Sequence, residues 1–196
     1  MKHHHLYFKH AITILLIMLA LSAPFSIRSH AAAKKVKQLT RKQVDNAAKP
    51  KKLVNKNAFI VKKGKKYNLK AHKGFLKFVA PSNGKYTFEY SNLKAAKKSN
   101  NKKASAVIDL VVIDGNGFIL DPGTPVKTQG SSWKSNAHIA SKAYIKKAGS
   151  ANKKLAYSER YLSSRYSTLK CYKGDILYLY VDCKVPSTFT IKVKKK

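Results

Sequence analysis

Apolar and polar residues alternate with a period of two through much of the chain after residue 53. The longest case is residues 75–90, FLKFVAPSNGKYTFEY, where two alternating runs flank the turn Ser-Asn-Gly. Alternation on both sides of such a turn predicts a β-hairpin. A turn centred near Asn83 would place Phe78 opposite Phe88 on a buried face and leave the polar positions on a solvated one.

Further runs of this kind predict about eight short strands in total. Residues 106–113, AVIDLVVI, form an almost continuous β-branched run, which favours a central strand. The other predicted strands cover 59–61, 67–71, 118–120, 166–172, 176–183 and 188–194. Residues 124–165 carry the weakest signal: we expect strands near 138–140 and 143–145, and a short helical turn as an alternative over 158–164. The whole pattern predicts an all-β fold, an antiparallel β-sandwich of jelly-roll-like type.

The N-terminal third of the chain differs from this pattern. Residues 1–33 predict a signal peptide, with a basic start, an apolar stretch over 11–23 and the small residues Ala-Ala-Ala before Lys34. The alternative is an uncleaved membrane anchor, although the apolar run is marginal for spanning a bilayer. Residues 34–52 are basic with few large apolar side chains, so we expect a flexible linker. This division leaves 53–196 as the β-sandwich domain of a secreted or cell-surface protein.

Three motifs occur in a fixed order along the predicted strands. They cover 78–86 around the Pro-Ser-Asn-Gly turn, 109–117 (DLVVIDGNG) and 169–181 (LKCYKGDILYLYV). Together they resemble the bacterial pre-peptidase C-terminal (PPC) domain and its relatives, over residues 75–194. The resemblance implies a small, non-catalytic β-sandwich of the kind attached to secreted enzymes. We expect a stand-alone version here, since no peptidase domain accompanies it in the sequence, and the resemblance does not identify a ligand.

The charge of the chain narrows the class of partner. There are 41 Lys and Arg against 8 Asp and Glu, and without Lys2, Lys9 and Arg28 of the leader the net charge is still +30. Such a field favours acidic partners. The residues that we predict to bind polyanions lie together in one stretch: Lys94, Lys97, Lys98, Lys102 and Lys103.

Lysine acts as a point charge without the planar fork of arginine, so we expect weakly specific, salt-sensitive binding. The expected partner is an anionic cell-wall polymer or acidic glycan, with a secreted protein as a further class. We do not expect specific nucleic-acid binding, because no nucleic-acid-binding fold is recognisable. The simpler alternative is that these lysines are only a solvated surface.

A second candidate surface comes from the tyrosines of the predicted C-terminal hairpin. Tyr166, Tyr178 and Tyr180 fall on one face of the strands over 166–172 and 176–183. Exposed tyrosines offer rigid amphipathic area on which a glycan or a protein can pack. Alternatively, residues 124–160 cover this face.

The sequence carries no recognisable catalytic, cofactor or metal motif, so we expect a protein that is not an enzyme. After the leader only two histidines and two cysteines remain, at separations that match no zinc pattern, and no G-x-S-x-G elbow is present. The alternative function is a secreted hydrolase, or an accessory subunit of one, with its site in residues 124–165. That alternative would gather Asp121, His138 and Glu159 in one pocket.

Two smaller features have a structural interpretation. Residues 114–119 look like the middle of an EF-hand loop but lack both end ligands, so we expect a tight turn; a weaker alternative is a calcium site built from Asp109, Asp114 and Asp121. The spacing of Cys171 and Cys183 on a plain hairpin puts their Cα atoms on the order of 20 Å apart. A disulfide needs about 7 Å, so we expect two buried thiols; a disulfide is the alternative if the two strands lie in different sheets.

Overall fold

The computed structural model describes residues 32–97, 99–119, 126–131 and 134–196, so the predicted leader lies almost wholly outside it. The described residues form an all-β fold, as predicted. The strands are β1 (Lys34–Lys35), β2 (Phe59–Val61), β3 (Lys66–Val79), β4 (Gly84–Ala95), β5 (Ser105–Ile113), β6 (Phe118–Ile119), β7 (Lys127–Thr128), β8 (Asn136–Ala140), β9 (Ser164–Cys171) and β10 (Ile176–Lys195). The helices are α1 (Arg41–Asp45), α2 (Pro50–Asn57) and α3 (Lys142–Lys154). Within these residues no helix has the length and apolar character needed to cross a bilayer.

The 20-residue strand β10 organises the sheet because its two halves have different partners. Its first half pairs with β5 and its second half with β4, while β3 runs beside both halves. The register shifts between Asp182 and Ser187, next to Pro186, which has no N–H to give to the ladder. One hydrogen-bonded sheet thus continues through two layers. The first layer contains β2, β3, β10, β5 and β8, and the second contains β3, β10, β4, β9 and β7.

Neither predicted hairpin forms. Strands β3 and β4 are consecutive in the chain, but β10 lies between them in the sheet. Strand β9 pairs with β4 and β7 and not with β10. The strand positions were predicted correctly and the partners were wrong, because a period of two specifies the face of each side chain and not the neighbouring strand. The sheet is also mixed, since β1 and β2 pair with β3 in parallel.

The main core lies between the two layers. Its largest side chains come from alternating positions of the long strands: Leu69, Leu76, Phe78, Tyr86, Phe88, Tyr90, Ile108, Leu110, Phe189 and Ile191. Cys171 and Cys183 are both buried and unbridged, as expected. Burial raises the pKa of Cys171 to about 11 and that of Cys183 to about 12, so both stay thiols at neutral pH.

Residues 34–52 are part of the fold and not the flexible linker that we predicted. The backbone N–H groups of Val36 and Leu39 donate to the carbonyls of β3 residues Lys70 and Lys73, at 2.9 and 3.1 Å. A capping box between Thr40 and Gln43 begins α1, and a proline in the first turn begins α2. The three large apolar residues of the segment, Val36, Leu39 and Val44, are all buried, and the average composition of the segment does not reveal this. Residues 32–196 accordingly form one unit.

The region of weakest signal contains one helix where we predicted a strand. Strand β8 forms near the expected place, but residues 143–145 belong to α3. The reason is local: the Ser141 Oγ accepts a hydrogen bond from the Tyr144 N–H at 3.2 Å and so caps the helix. Instead of the short helical turn over 158–164, residues 157–160 form turns and bends and β9 begins at Ser164.

Candidate anion-binding site

The predicted basic residues lie where β4 ends and the chain crosses to β5. Lys94 is the next-to-last residue of β4, and Lys97, Lys102 and Lys103 follow in the connection to β5. All four side chains are exposed. Lys98, the fifth predicted residue, lies outside the described residues. The structure therefore places four of the five predicted lysines on one short surface segment.

Three of these lysines line one cleft together with a residue that the sequence analysis missed. Lys94, Lys97 and Lys102 share a cleft of about 540 Å³ with Lys142 at the start of α3. Its apolar lining consists of Leu93, Ala95, Ala96, Ala140 and Ala143. Among the described lining residues there is no Asp or Glu. The site is thus a concave, positively charged surface with a small apolar floor.

A β-bulge at Asn92 turns Lys94 towards the solvent. Ser91 is opposite Thr190 and Lys94 is opposite Thr188, so β4 has one residue more than β10 over this span. Asn92 has a φ of 56°, a left-handed conformation that asparagine tolerates better than most residues. Without the extra residue, Lys94 would share the inward face with Tyr90; with it, Leu93 is buried and Lys94 is exposed.

The loop that carries Lys102 and Lys103 is tied to the first turn of α3. The Ser141 N–H donates to the Ala104 carbonyl at 2.9 Å, and the Ala104 N–H donates to the Ser141 Oγ at 3.2 Å. Within the loop, the Lys103 N–H donates to the Asn101 Oδ1 at 2.9 Å. These bonds hold the lysines of the loop and of the helix beside one another.

The cleft lysines are not neutralised by nearby acids. Ion pairs in the described part of the chain join Lys73 to Asp182, Lys134 to Glu159, Lys194 to Glu89 and Arg41 to Asp45. None of those ion pairs involves a cleft lysine. The positive charge of the cleft is therefore open to an external anion.

Two of the three tyrosines on the predicted face are buried, and the third is exposed. Tyr178 is 2% and Tyr180 6% exposed, whereas Tyr166 is 37% exposed. Tyr178 donates its hydroxyl hydrogen to the Asn55 Oδ1 at 2.9 Å, and the ring of Tyr180 packs against that of Phe75 at 4.9 Å. Burial raises the pKa of both tyrosines.

The cover over these tyrosines comes from the N-terminal segment, and no described residue of the stretch 124–160 belongs to the cluster that contains them. Leu39 precedes α1, Val44 lies within it and Val54 lies within α2, and all three form a second apolar cluster with Phe75, Tyr178 and Tyr180. A glycan or protein partner at Tyr178 and Tyr180 is therefore excluded unless α1 and α2 move away.

The residues of the alternative hydrolase site have structural partners of their own. The ring of His138 lies 5.0 Å from that of Tyr161, and burial and the nearby Arg165 lower the pKa of His138. Glu159 accepts a hydrogen bond from the Lys134 Nζ at 2.5 Å, which lowers the pKa of the carboxyl group. Asp121, the third residue, is outside the described residues, so the alternative stays a prediction.

The predicted turn over 114–117 forms as expected. The Asp114 Oδ1 accepts hydrogen bonds from the N–H groups of Asn116 at 2.7 Å and Gly117 at 3.0 Å. Of the residues in the described ranges, no group of three or more His, Cys, Asp or Glu could hold a metal ion. The weaker calcium alternative again includes Asp121, which is not described.

A half-buried acid lies on the outer face of the first layer, and the sequence analysis named it only as part of the weaker calcium alternative. Asp109 lies in the middle of β5, opposite Tyr180. Burial, and secondly the carboxylate of Asp182, raise the pKa of Asp109 to about 6, while Arg41 opposes the shift. Its position inside the otherwise apolar run of residues 106–113 was the sequence signal for a carboxyl group with a raised pKa.

Comparison of the chain with protein-family models, with curated protein sequences and with solved structures gave no significant match.

Proposed function

We propose that the protein is a secreted, non-catalytic β-sandwich module that binds extracellular polyanions, such as an anionic cell-wall polymer or an acidic glycan. In this proposal residues 75–194 form a PPC-like domain. The resemblance in the order of strands and turns supports that part, together with the all-β fold. Binding itself is assigned to the cleft lined by Lys94, Lys97, Lys102 and Lys142.

The observation that carries the proposal is the convergence of these lysines from separate segments. Lys94 ends β4, Lys97 and Lys102 lie in the next loop, and Lys142 begins α3. Like charges held together on one concave surface repel one another, so an anion that enters the cleft relieves this repulsion. Neutral ligands gain nothing from that relief.

The chemistry of the cleft also limits its specificity. Lysine ammonium groups bind phosphate, sulfate or carboxylate as point charges and do not select a planar geometry. The alanine-rich floor offers no large ring for stacking. We therefore expect discrimination by charge density and not by the identity of the sugar.

The test is binding of the full chain to purified teichoic acid and to a panel of neutral glycans, across a salt series. With four lysines engaged, raising the salt from about 50 mM to about 200 mM should weaken teichoic acid binding roughly 50-fold. Neutral glycans should not bind. Binding to teichoic acid that ignores salt would contradict the proposal.

A matched pair of variants assigns the binding to the cleft. The first, Lys94→Gln/Lys97→Gln/Lys102→Gln, removes three cleft charges. The second removes three exposed charges from the turn between β2 and β3: Lys62→Gln/Lys63→Gln/Lys65→Gln. The turn is far from the cleft. Lys63 forms a β-bridge with Val193, and Val193 pairs with Phe88 of β4, which is six residues, or on the order of 20 Å, from Lys94 along that strand. Only the cleft variant should lose binding.

A further inference from the structure

A second lysine-lined cleft lies on the other side of the loop formed by residues 99–104. It has a volume of about 370 Å³ and is lined by Lys103, Lys147 and Lys184, and Tyr144 is the one aromatic residue among the described residues that line it. No acid lies among the described residues that line it. Lys147 and Lys184 were not singled out by the sequence analysis.

The two clefts are neighbours because they share both the loop and the helix. Ser99 and Lys102 line the first cleft, whereas Asn101 and Lys103 line the second. Consecutive Cα atoms are about 3.8 Å apart, so only the width of one chain segment separates the two clefts. On the helix the change occurs within one step, since Ala143 lines the first cleft and Tyr144 the second.

Each cleft contains one lysine that lies at a break in strand register. Lys94 follows the bulge in β4, and Lys184 lies between Asp182 and Ser187, where β10 changes partner. Residues at such breaks are released from the ladder and can be aimed away from the sheet. The register break in β10, at which the strand passes from one layer to the other, thus also brings the side chain of Lys184 to the second cleft.

We propose that the two clefts form one continuous track for a linear polyanion, which crosses the loop over residues 99–104 and occupies both sides at once. This proposal rests on the proposed function and specifies its ligand as a chain with repeated negative charges, longer than one cleft. Seven lysines line the track: Lys94, Lys97, Lys102, Lys142, Lys103, Lys147 and Lys184. A short anion needs only one cleft, whereas a long chain gains from both because the second contact is intramolecular.

The test compares inorganic tripolyphosphate with long-chain inorganic polyphosphate as probes of the full chain. Three variants carry the same net charge: the first-cleft and turn variants described above, and the second-cleft variant Lys103→Gln/Lys147→Gln/Lys184→Gln. All the substituted side chains are exposed, so each variant should fold, and thermal melting checks this. Binding is measured by calorimetry across a salt series.

For long-chain polyphosphate, each cleft variant should bind about 100-fold more weakly than the turn variant. The slope of log affinity against log salt should fall by about 3 in each, one for every lysine removed. For tripolyphosphate, either cleft variant should lose only about half of the binding, because the other cleft is intact and acts alone.

Two outcomes would contradict the proposed track. One of them leaves the proposed function intact, and the other contradicts that function as well. If the second-cleft variant binds long-chain polyphosphate with the affinity and salt slope of the turn variant while the first-cleft variant is weakened, the track is wrong and the proposed function holds. If both cleft variants bind every polyanion as the turn variant does, neither cleft is a binding site and the proposed function fails as well.

Discussion

The rings of Phe78 and Phe88 lie 5.3 Å apart at nearly right angles, although the strand β10 separates their own strands in the sheet. The contact is made across the core, between the part of β3 that belongs to the first layer and β4 of the second. Each ring thus contributes both apolar burial and an edge-to-face contact. The pair is a direct link between the two layers.

Replacing Phe88 by Ala should lower the free energy of unfolding by about 3 to 5 kcal/mol, because the cavity opens between the layers. Denaturant unfolding measures the loss. The double variant Phe78→Ala/Phe88→Ala should be less destabilised than the sum of the single variants, since the two rings contact each other. The exposed neighbour variant Lys85→Ala is the control and should change little. Additive losses would show that the ring contact contributes no coupling energy.

Arg165 organises the region between β7 and β9. It is 2% exposed, and its guanidinium donates to the backbone carbonyls of Gln129, His138, Tyr157 and Arg160. Arg165→Met keeps the length of the side chain but removes this donor from all four carbonyls, of which that of His138 keeps a bond from the Leu162 N–H. We expect a loss of more than about 3 kcal/mol of stability, since each unsatisfied buried acceptor costs roughly 1 to 3 kcal/mol.

Hydrogen exchange should localise the effect of Arg165→Met. Amides of β8 and of residues 156–162 should exchange faster, while those of β3 and β10 keep their protection relative to the global stability. The matched control is Arg160→Met, because the Arg160 Nε donates to one carbonyl, that of Leu155. Equal losses in both variants would contradict the central role of Arg165.

The cover formed by α1 and α2 can be tested through the tyrosines beneath it. Val44→Asp places a charge in the second apolar cluster, where Val44 is fully buried. We expect the cover to detach, so that Tyr178 and Tyr180 titrate near the ordinary tyrosine value of about 10. Spectrophotometric titration measures this. The exposed variant Lys42→Asp also places a carboxylate on α1 and should leave the titration unchanged.

The stability of the protein should depend on the ionisation of Asp109. Its pKa is raised to about 6 in the fold, against about 4 in an unfolded chain, so the folded state favours the protonated acid. The stabilising effect of the bound proton is complete below pH 4 and is lost as the pH rises from about 4 to about 6.

Asp109→Asn removes the loss of stability that accompanies ionisation of the carboxyl group. The variant should therefore be about 1 to 3 kcal/mol more stable than the parent at pH 7. The lowered pKa of His138 acts in the opposite sense, because stability decreases as the pH falls below its unfolded value. The measurement is therefore the difference between the variant and the parent in denaturant unfolding across pH 4 to 7. A difference that does not vary over this range would contradict the assignment.

The bulge at Asn92 should tolerate glycine and resist a β-branched residue. Asn92→Val forces a branched side chain into the left-handed region, which costs roughly 1 to 2 kcal/mol, whereas Asn92→Gly should be nearly neutral. Thermal melting compares the two. Teichoic acid binding should weaken in Asn92→Val if the bulge shifts, because Lys94 is then no longer held in the cleft.

Local patterning determined which residues of this protein lie in strands and which of their side chains face the core. Residues 106–113 form a central strand as predicted, and Phe189, Ile191 and Val193 are buried as their alternation indicates. The lysines after β4 were also identified from the sequence, since a run without large apolar side chains cannot be buried. These features depend on residues that are near one another in the chain.

Tertiary structure decided everything that depends on a distant partner. The placement of β10 between β3 and β4, the packing of Val44 and Val54 over Tyr178, and the approach of Lys142 and Lys184 to the lysine loop join residues about 40 to 130 positions apart. Alternation is the same whichever strand lies alongside, so it contains no information on pairing. The choice among partners is made by the burial of whole faces and by the bulges that shift the register, and both arise only when the layers pack together.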